Sequence, residues 1–342
     1  MPTAKKSFIA VGTIVVDYHK VVKHYPNERA SARICKEILS TGGAPLNVLI
    51  NLAKLGTSFE LILAGRIGRD LDGKFIIEEC DKHNINHSQI TQDKELNTGY
   101  TDVYTVESTS RHTCFHYDGA GQAFCRDDVS IDVIENATCL FLGSLGALGK
   151  MDDNDPEIGC SQSTKLIRDA KKRGLITILE FAPLDHGTTI HEFAGPLKET
   201  DYVIINDRTA EVITEQAVYA EDNFDPELAR KAALEILKMG VRRGVIIQSS
   251  ASAIYLGADD TFIHKSGYYL PWKERISSAG VDHAFCAGFI KGLLEEDSMT
   301  DCLNYGLACS TVCRRDLTPS GGLKSLDECL DICNKLRQPI MS

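Results

Sequence analysis

TGGAPLNVLINLAKLG, residues 41–56, pairs a glycine turn with the start of a helix. Thr41-Gly42-Gly43 lets the backbone come close to a ligand, because glycine has no Cβ to hold it off. Leu46, Leu49, Leu52 and Ala53 then recur at helical spacing, and Gly56 stands where a helix ends in a left-handed residue. Asn47 falls in the first turn, beside the glycines. The stretch reads as a ligand-facing turn that runs directly into a buried helix.

Working outward, SFIAVGTIVV (residues 7–16) is a short apolar run rich in β-branched residues, which predicts a buried first strand ending at Asp17. A carboxylate at the carboxyl end of such a strand faces the ligand crevice of an open α/β sheet, or else is a solvated turn residue. Residues 18–40 alternate without a long helix. Residues 59–67 predict a second strand, followed by Gly68-Arg69-Asp70-Leu71-Asp72-Gly73 and an amphipathic helix to about His83. Thr98-Gly99 and TDVYTV (101–106) read as strands of a small sheet. RHTCFHYDGAG (111–121) continues it, with Arg111 either over the ligand or a plain surface residue.

From residue 139 strands and helices alternate. CLFLGSLGAL leads to a helix near 161–173, then LITILEFA (175–182), YVIIND (202–207), a helix near 226–239 and VRRGVIIQ. Alternation with apolar strands means a mostly parallel sheet covered by helices on both faces. No repeat or linker interrupts it, so residues 1–342 form one domain with lid segments near 18–40 and 97–121.

The composition, 43% hydrophobic and 25% charged, is that of a soluble globular protein. A net charge of −11 argues against nucleic acid and anionic membranes as partners. No apolar run reaches the roughly 18 residues of a spanning helix. MPTAKKSFIAVG passes straight into a strand, so it is read as mature protein, with a cytoplasmic location. Of the 12 cysteines, Cys309/Cys313 and Cys329/Cys333 are spaced i,i+4. They are either zinc ligands or buried thiols on helical faces; no histidine stands nearby at finger-like spacing.

The chemistry concentrates in RISSAGVDHAFCAGFIKGLLE, residues 275–295. A turn of small residues enters a helix with Phe285, Phe289, Leu293 and Leu294 on one face, and such a helix start suits an anion. This stretch resembles the C-terminal signature of the PfkB carbohydrate kinases, Asp-Thr-x-Gly-Ala-Gly-Asp-x-Phe with a later Gly. Anchored on Phe285 and Gly288, it puts Gly280-Val281-Asp282 at Gly-Ala-Gly and His283 at the catalytic base. Residues 42–56 resemble the N-terminal signature, with Leu49 for its first Ala. The resemblance implies a ribokinase-like doubly wound α/β fold with a small β-sheet lid. The exposed edges of such a lid sheet need covering, which gives a homodimer through the lid as an expectation. It also implies Mg-ATP as cofactor and a small-molecule sugar or polyol as substrate. Asp17, Gly42, Gly43, Asn47 and Arg111 would hold the sugar, and Gly280 and Asn206 the nucleotide or anion.

The sugar-side positions are intact, whereas the nucleotide side departs from the family. Ala182-Pro183-Leu184 replaces Asp-Pro-Asn, Thr209 replaces the Glu of Asn-x-x-Glu, and residues 247–252 lack both glycines of the phosphate loop. Asp282 brings negative charge to the phosphate site, which opposes ATP. The sequence therefore predicts a sugar-binding kinase homologue with phosphoryl transfer weakened or lost. The alternative is an active sugar kinase with Asp282 or His283 as base. For Asp282 to hold the base position, one extra residue must be absorbed as a bulge in the first helical turn.

Overall fold

Alternation inside β1 (Ser7–Gly12) divides the molecule into two apolar layers: Phe8 and Ala10 enter one core, Ile9 and Val11 the other. The computed structural model describes residues 6–157, 159–184, 187–250 and 252–336. The outermost residues of the expected domain, the first five of the N-terminal segment and Ala251 lie outside them. After β1 come β2 (Val15–Val22), β3 (Ile34–Gly42), α1 (Ala44–Leu55), β4 (Glu60–Gly68), α2 (Leu71–Lys82) and β5 (Asn86–Asp93). Next are β6 (Gly99–Val106), β7 (His112–Tyr117), α3 (Ile131–Asn136), β8 (Cys139–Leu145) and a two-residue pair, β9 (Asn154–Asp155) with β10 (Cys160–Ser161). The chain continues through α4 (Gln162–Lys172), β11 (Ile176–Phe181), α5 (Ala194–Glu199), β12 (Tyr202–Asn206) and α6 (Asp207–Thr214). A second short pair, β13 (Tyr219–Ala220) with β14 (Asn223–Phe224), precedes α7 (Pro226–Lys238) and β15 (Gly244–Gln248). Last come β16 (Ser252–Gly257), β17 (Phe262–Ser266), α8 (Val281–Leu294), α9 (Met299–Cys313) and α10 (Leu326–Leu336).

Nine strands make the central sheet in the order β17-β16-β15-β12-β11-β8-β1-β4-β5. The ladders from β5 to β15 are parallel; β16 and β17 add an antiparallel edge that the strand–helix alternation did not announce. Each inner strand repeats the division of β1. Phe141, Ile178, Ile204 and Ile246 face the layer of α1, α8 and α9, while Leu140, Leu179, Val203 and Val245 face the other. The direction of winding reverses between β1 and β8, whose ends meet at Gly12 and Gly143. A ligand crevice opens at such a switch point, outside the carboxyl ends of the strands.

The expected strand over 7–16 is in fact two strands in two sheets. A Cβ on Gly12 would lie 1.7 Å from the Gly143 carbonyl oxygen, and there the chain leaves the main sheet. It restarts as β2 of a four-stranded sheet, β3-β2-β6-β7. Apolar patterning hid the break because Ile14, Val15 and Val16 are as buried as β1. Asp17 consequently sits within the lid sheet rather than at the end of β1. One lid face, with Asp17, His19, Thr101, Val103 and Thr105, is buried; the other carries Tyr18, Lys20, Tyr100 and Tyr104. On β3 and β7, the edges of this sheet, Ile34, Leu39, Phe115 and Tyr117 are exposed.

α8 differs from an amphipathic helix in being buried nearly all round, from Val281 and Ala284 to Leu294. It lies between α1 and α9. Cys309, Cys313, Cys329 and Cys333 are buried in the same layer. Among the described residues no helix is long and apolar enough to cross a membrane.

Candidate active site

The turn before α1 is shaped by the carboxylate it receives. A Cβ at Gly42 would lie 2.2 Å from Oδ1 of Asp17. Gly43 has φ 82°, and a Cβ there would lie 2.1 Å from the Thr13 carbonyl oxygen. Both positions therefore require glycine, one for the approach of Asp17 and one for its own backbone as well. Burial pushes the Asp17 carboxyl up to about 7, against the pull of a hydrogen bond with Thr101. Two residues on and on the same face, His19 meets Ser40 Oγ through Nε2 at 2.9 Å. Its Nδ1 is buried without a partner, and burial holds the imidazole down at about 4.

Asn47 joins this lid side to α8. Its Oδ1 accepts from the Thr41 hydroxyl at 3.1 Å, so Nδ2 is the group that meets Nδ1 of His283 at 3.3 Å. An amide nitrogen only donates, which makes Nδ1 the acceptor and leaves the proton on Nε2. Burial favours the same neutral state, pushing the imidazole down against the opposing charge of Asp282.

On the other side of α8 the carboxylate of Asp282 is clasped by two amides. Asn206 Nδ2 donates to Oδ2 at 2.9 Å and Gln248 Nε2 to Oδ1 at 2.5 Å. Asn206 also caps α6, its Oδ1 accepting from Thr209 N at 2.8 Å, so both ends of its amide are engaged. Thr209 is itself buried, and Glu211 accepts from Val218 N at 2.9 Å. Where the sequence lacks the phosphate-loop glycines, Ser249 and Ser252 bond one another and close the β15–β16 turn.

Gly280 adopts φ 73° ahead of α8, and Ala284 N already bonds its carbonyl at 2.9 Å. The helix is continuous from Val281, so the bulge needed to bring Asp282 into the base position is not there. Adjacent residues of a helix point about 100° apart, which is why Asp282 and His283 face opposite halves of the site. Asp17, Gly42, Gly43, Asn47 and His283 gather on one half, Gly280, Asp282 and Asn206 on the other. Arg111 does not join them: it is exposed at the end of the β6–β7 hairpin. Its neighbours make the contact instead, with Ser110 Oγ donating to the Arg275 carbonyl at 2.8 Å and His112 Nδ1 meeting Ser278 Oγ at 3.0 Å.

Glu180 and Gln248 are site residues that sequence reading passed over. Both lie at or next to the carboxyl ends of apolar strands, and the carboxylate late in LITILEF and the amide closing GVIIQ were the available signal. Glu180 is 6% exposed, and burial, with the Asp282 charge second, pushes its carboxyl well above the ordinary range.

Residues 5–322 match the family model described as pfkB family carbohydrate kinase. The 5-dehydro-2-deoxygluconokinase of Clostridium beijerinckii is 24% identical over 90% of this chain and 87% of its own. That of Geobacillus thermodenitrificans is 23% identical over 94% of this chain and 91% of its own. Among solved structures, ribokinase from Giardia lamblia superposes with a TM-score of 0.80 at 16% identity, covering 97% of this chain and all of its own. Arabidopsis thaliana ribokinase, solved with ribose and ATP, gives 0.77 at 20% identity, over 96% and 99%. These structures share the ribokinase-like fold, and with the family pattern running across nearly its whole length the chain belongs to the PfkB carbohydrate kinases.

Proposed function

We propose that this protein binds a sugar or polyol beneath its lid, with ATP-dependent phosphoryl transfer weakened or lost, and acts as a ligand-binding homologue of the sugar kinases. The observation that carries the reading is the clasp on Asp282. A phosphate approaching the first turn of α8 meets a carboxylate already held by both nearby amides. Like charges brought together out of water repel by several kcal/mol as an order of magnitude. Both ends of the Asn206 amide already make bonds within the protein, and Thr209 offers no charge. These donors do not fit a magnesium triphosphate. His283 is a poor proton acceptor as it stands, because the lone pair on Nδ1 is taken by Asn47 and Nε2 carries the proton. The sugar side, by contrast, presents Asp17 and Asn47 in a buried, pre-formed arrangement suited to hydroxyl groups.

A second reading, an active sugar kinase using Asp282 or His283 as base, is favoured by the relatives named 5-dehydro-2-deoxygluconokinase, which align over nine-tenths of the chain. A thermal-shift screen separates the two. A sugar or polyol is expected to raise the melting temperature by mass action, and Asn47→Ala to remove the rise. Mg-ATP alone should shift it little, and sugar-dependent ADP release should stay at background. Micromolar ATP binding by calorimetry with robust ADP release would select the kinase instead.

A further inference from the structure

Residues 267–276, GYYLPWKERI, lead from β17 to the turn before α8 and are fastened along their length. The Tyr268 hydroxyl donates to Asn304 Oδ1 at 2.7 Å, Arg275 Nε to the Leu270 carbonyl at 2.8 Å and Ile276 N to the Arg314 carbonyl at 2.8 Å. Arg315 pairs with Glu274 at 3.0 Å, and the lid hairpin reaches the same segment through Ser110. Despite this hold, Tyr269 is 65% exposed, Trp272 70% and Ile276 49%. An apolar residue exposed singly is ordinary, but three on one fastened segment form a patch of the kind that meets a partner. Cations stand among the rings: Arg275 lies 5.7 Å over Tyr269 and Lys273 5.7 Å over Trp272. Arg111 follows Ser110 at the hairpin end and is exposed as well.

We propose that this patch docks an acidic peptide segment of a partner protein, with Trp272 receiving an apolar side chain and Arg111, Lys273 and Arg275 receiving carboxylates. Charge complementarity names the occupant. Among the described residues these three cations have no carboxylate partner, and Glu274, the one acid within the segment, is taken by Arg315. The chain as a whole carries −11, so the patch is a local reversal of sign. Such a reversal steers an acidic segment to one place, while the rest of the surface repels it. Trp, Tyr and Arg are also the residue types that dominate binding energy at protein interfaces. Because the segment is already fastened, little ordering entropy is lost on docking. Nucleic acid would meet the same cations, but its dense phosphates meet the repulsion of the net charge more strongly.

The test titrates the full chain with a short synthetic peptide, mostly glutamate with leucines interspersed, beside its glutamine counterpart and an oligothymidine. Trp272 is the single tryptophan, so tryptophan emission reports on the patch alone. The acidic peptide should shift that emission saturably, with a Kd in the micromolar range. The glutamine peptide should bind about tenfold or more weakly. Trp272→Ala, followed by calorimetry, should cost about tenfold or more. Arg111→Gln with Lys273→Gln, both at exposed side chains, should cost about tenfold and flatten the dependence on salt. No emission change with the acidic peptide overturns the proposal, as does equal binding of the glutamine peptide or unchanged binding by Trp272→Ala. Tighter binding of the oligothymidine overturns it in favour of nucleic acid. Sedimentation of the same samples covers the remaining occupant: a wild-type dimer that Trp272→Ala dissociates overturns it in favour of a second copy of this chain.

Discussion

Asp17 and His19 share one face of one lid strand, and burial displaces them in opposite directions along the pH scale. The Asp17 carboxyl keeps its proton to about 7 when folded but releases it near 3.8 when unfolded. Between those values the folded state binds more protons, so this residue's contribution to stability is full in acid and is lost as pH rises toward 7. His19 titrates at about 4 folded and 6.5 unfolded, so its contribution is full above 6.5 and is lost as pH falls toward 4. Asp17→Asn removes the first slope and keeps the second. Denaturant melts between pH 4.5 and 7.5 should show the variant gaining on wild type as pH rises, by a few kcal/mol at roughly 1.4 per pKa unit. Parallel curves would contradict the burial of an ionisable group at 17. At this scale the proposed sugar side was legible because its requirements appear as residue types at short spacing. Gly42 and Gly43 are demanded by carbonyl and carboxylate contacts, and Asn47 by its place in the next turn. Glu180 and Gln248 were not legible, because their meaning lies in what α8 places opposite the strand ends.

Among the elements, α8 shows how a helix start can be preserved while its chemistry changes. Gly280 turns at φ 73° directly against Pro319: a Cβ would fall 2.3 Å from Pro319 Cβ and 2.5 Å from its Cα. The thiol of Cys313 sits between the same two loops, its Sγ 3.5 Å from the Ala279 carbonyl and 3.4 Å from that of Pro319, with its one hydrogen able to serve either. Gly280→Ala should therefore cost stability twice, through left-handed backbone strain of about 1–3 kcal/mol and through displacement of the 319 loop. A chemical-denaturation midpoint unchanged from wild type would show that the turn is not held as described. The expectation of one apolar face was too modest, since α1 and α9 cover α8 on both sides. Small residues such as Ala284, Ala287 and Gly288 allow that enclosure, and a periodicity argument reads them as neutral. The change of sheet after Gly12 escaped notice for the opposite reason, since two buried strands in succession look like one.

Across the whole molecule, the strand ends of β11, β12 and β15 present Glu180, Asn206 and Gln248 in spatial order to one face of α8, and β2 with α1 presents Asp17 and Asn47 to the other. The layered α/β architecture was legible from alternation because parallel strands buried on both faces must read as apolar runs. What the alternation cannot show is how one helix divides two sites. The uninterrupted helix puts Asp282 on the Asn206 side and His283 on the Asn47 side, the proposed phosphate and sugar halves, which makes a paired substitution informative. Asp282→Gly removes the negative charge and releases the side-chain amides of Asn206 and Gln248, so inorganic phosphate and ATP should bind more tightly. His283→Asp returns a carboxylate to the position beside Asn47, where a placed base contributes roughly 10²–10⁴-fold. The double variant should bind ATP and release some ADP in the presence of a bound sugar. It should remain well short of a full kinase, because Thr209 still supplies no charge and the Ser249–Ser252 turn stays closed. His283→Asp alone should gain little, since Asp282 still occupies the anion position. Sugar-dependent ADP release from wild type, both single variants and the double variant decides the matter. Wild-type turnover that Asp282→Gly abolishes would mean that Asp282 is the base, and that the amides hold it ready for a proton rather than against a phosphate.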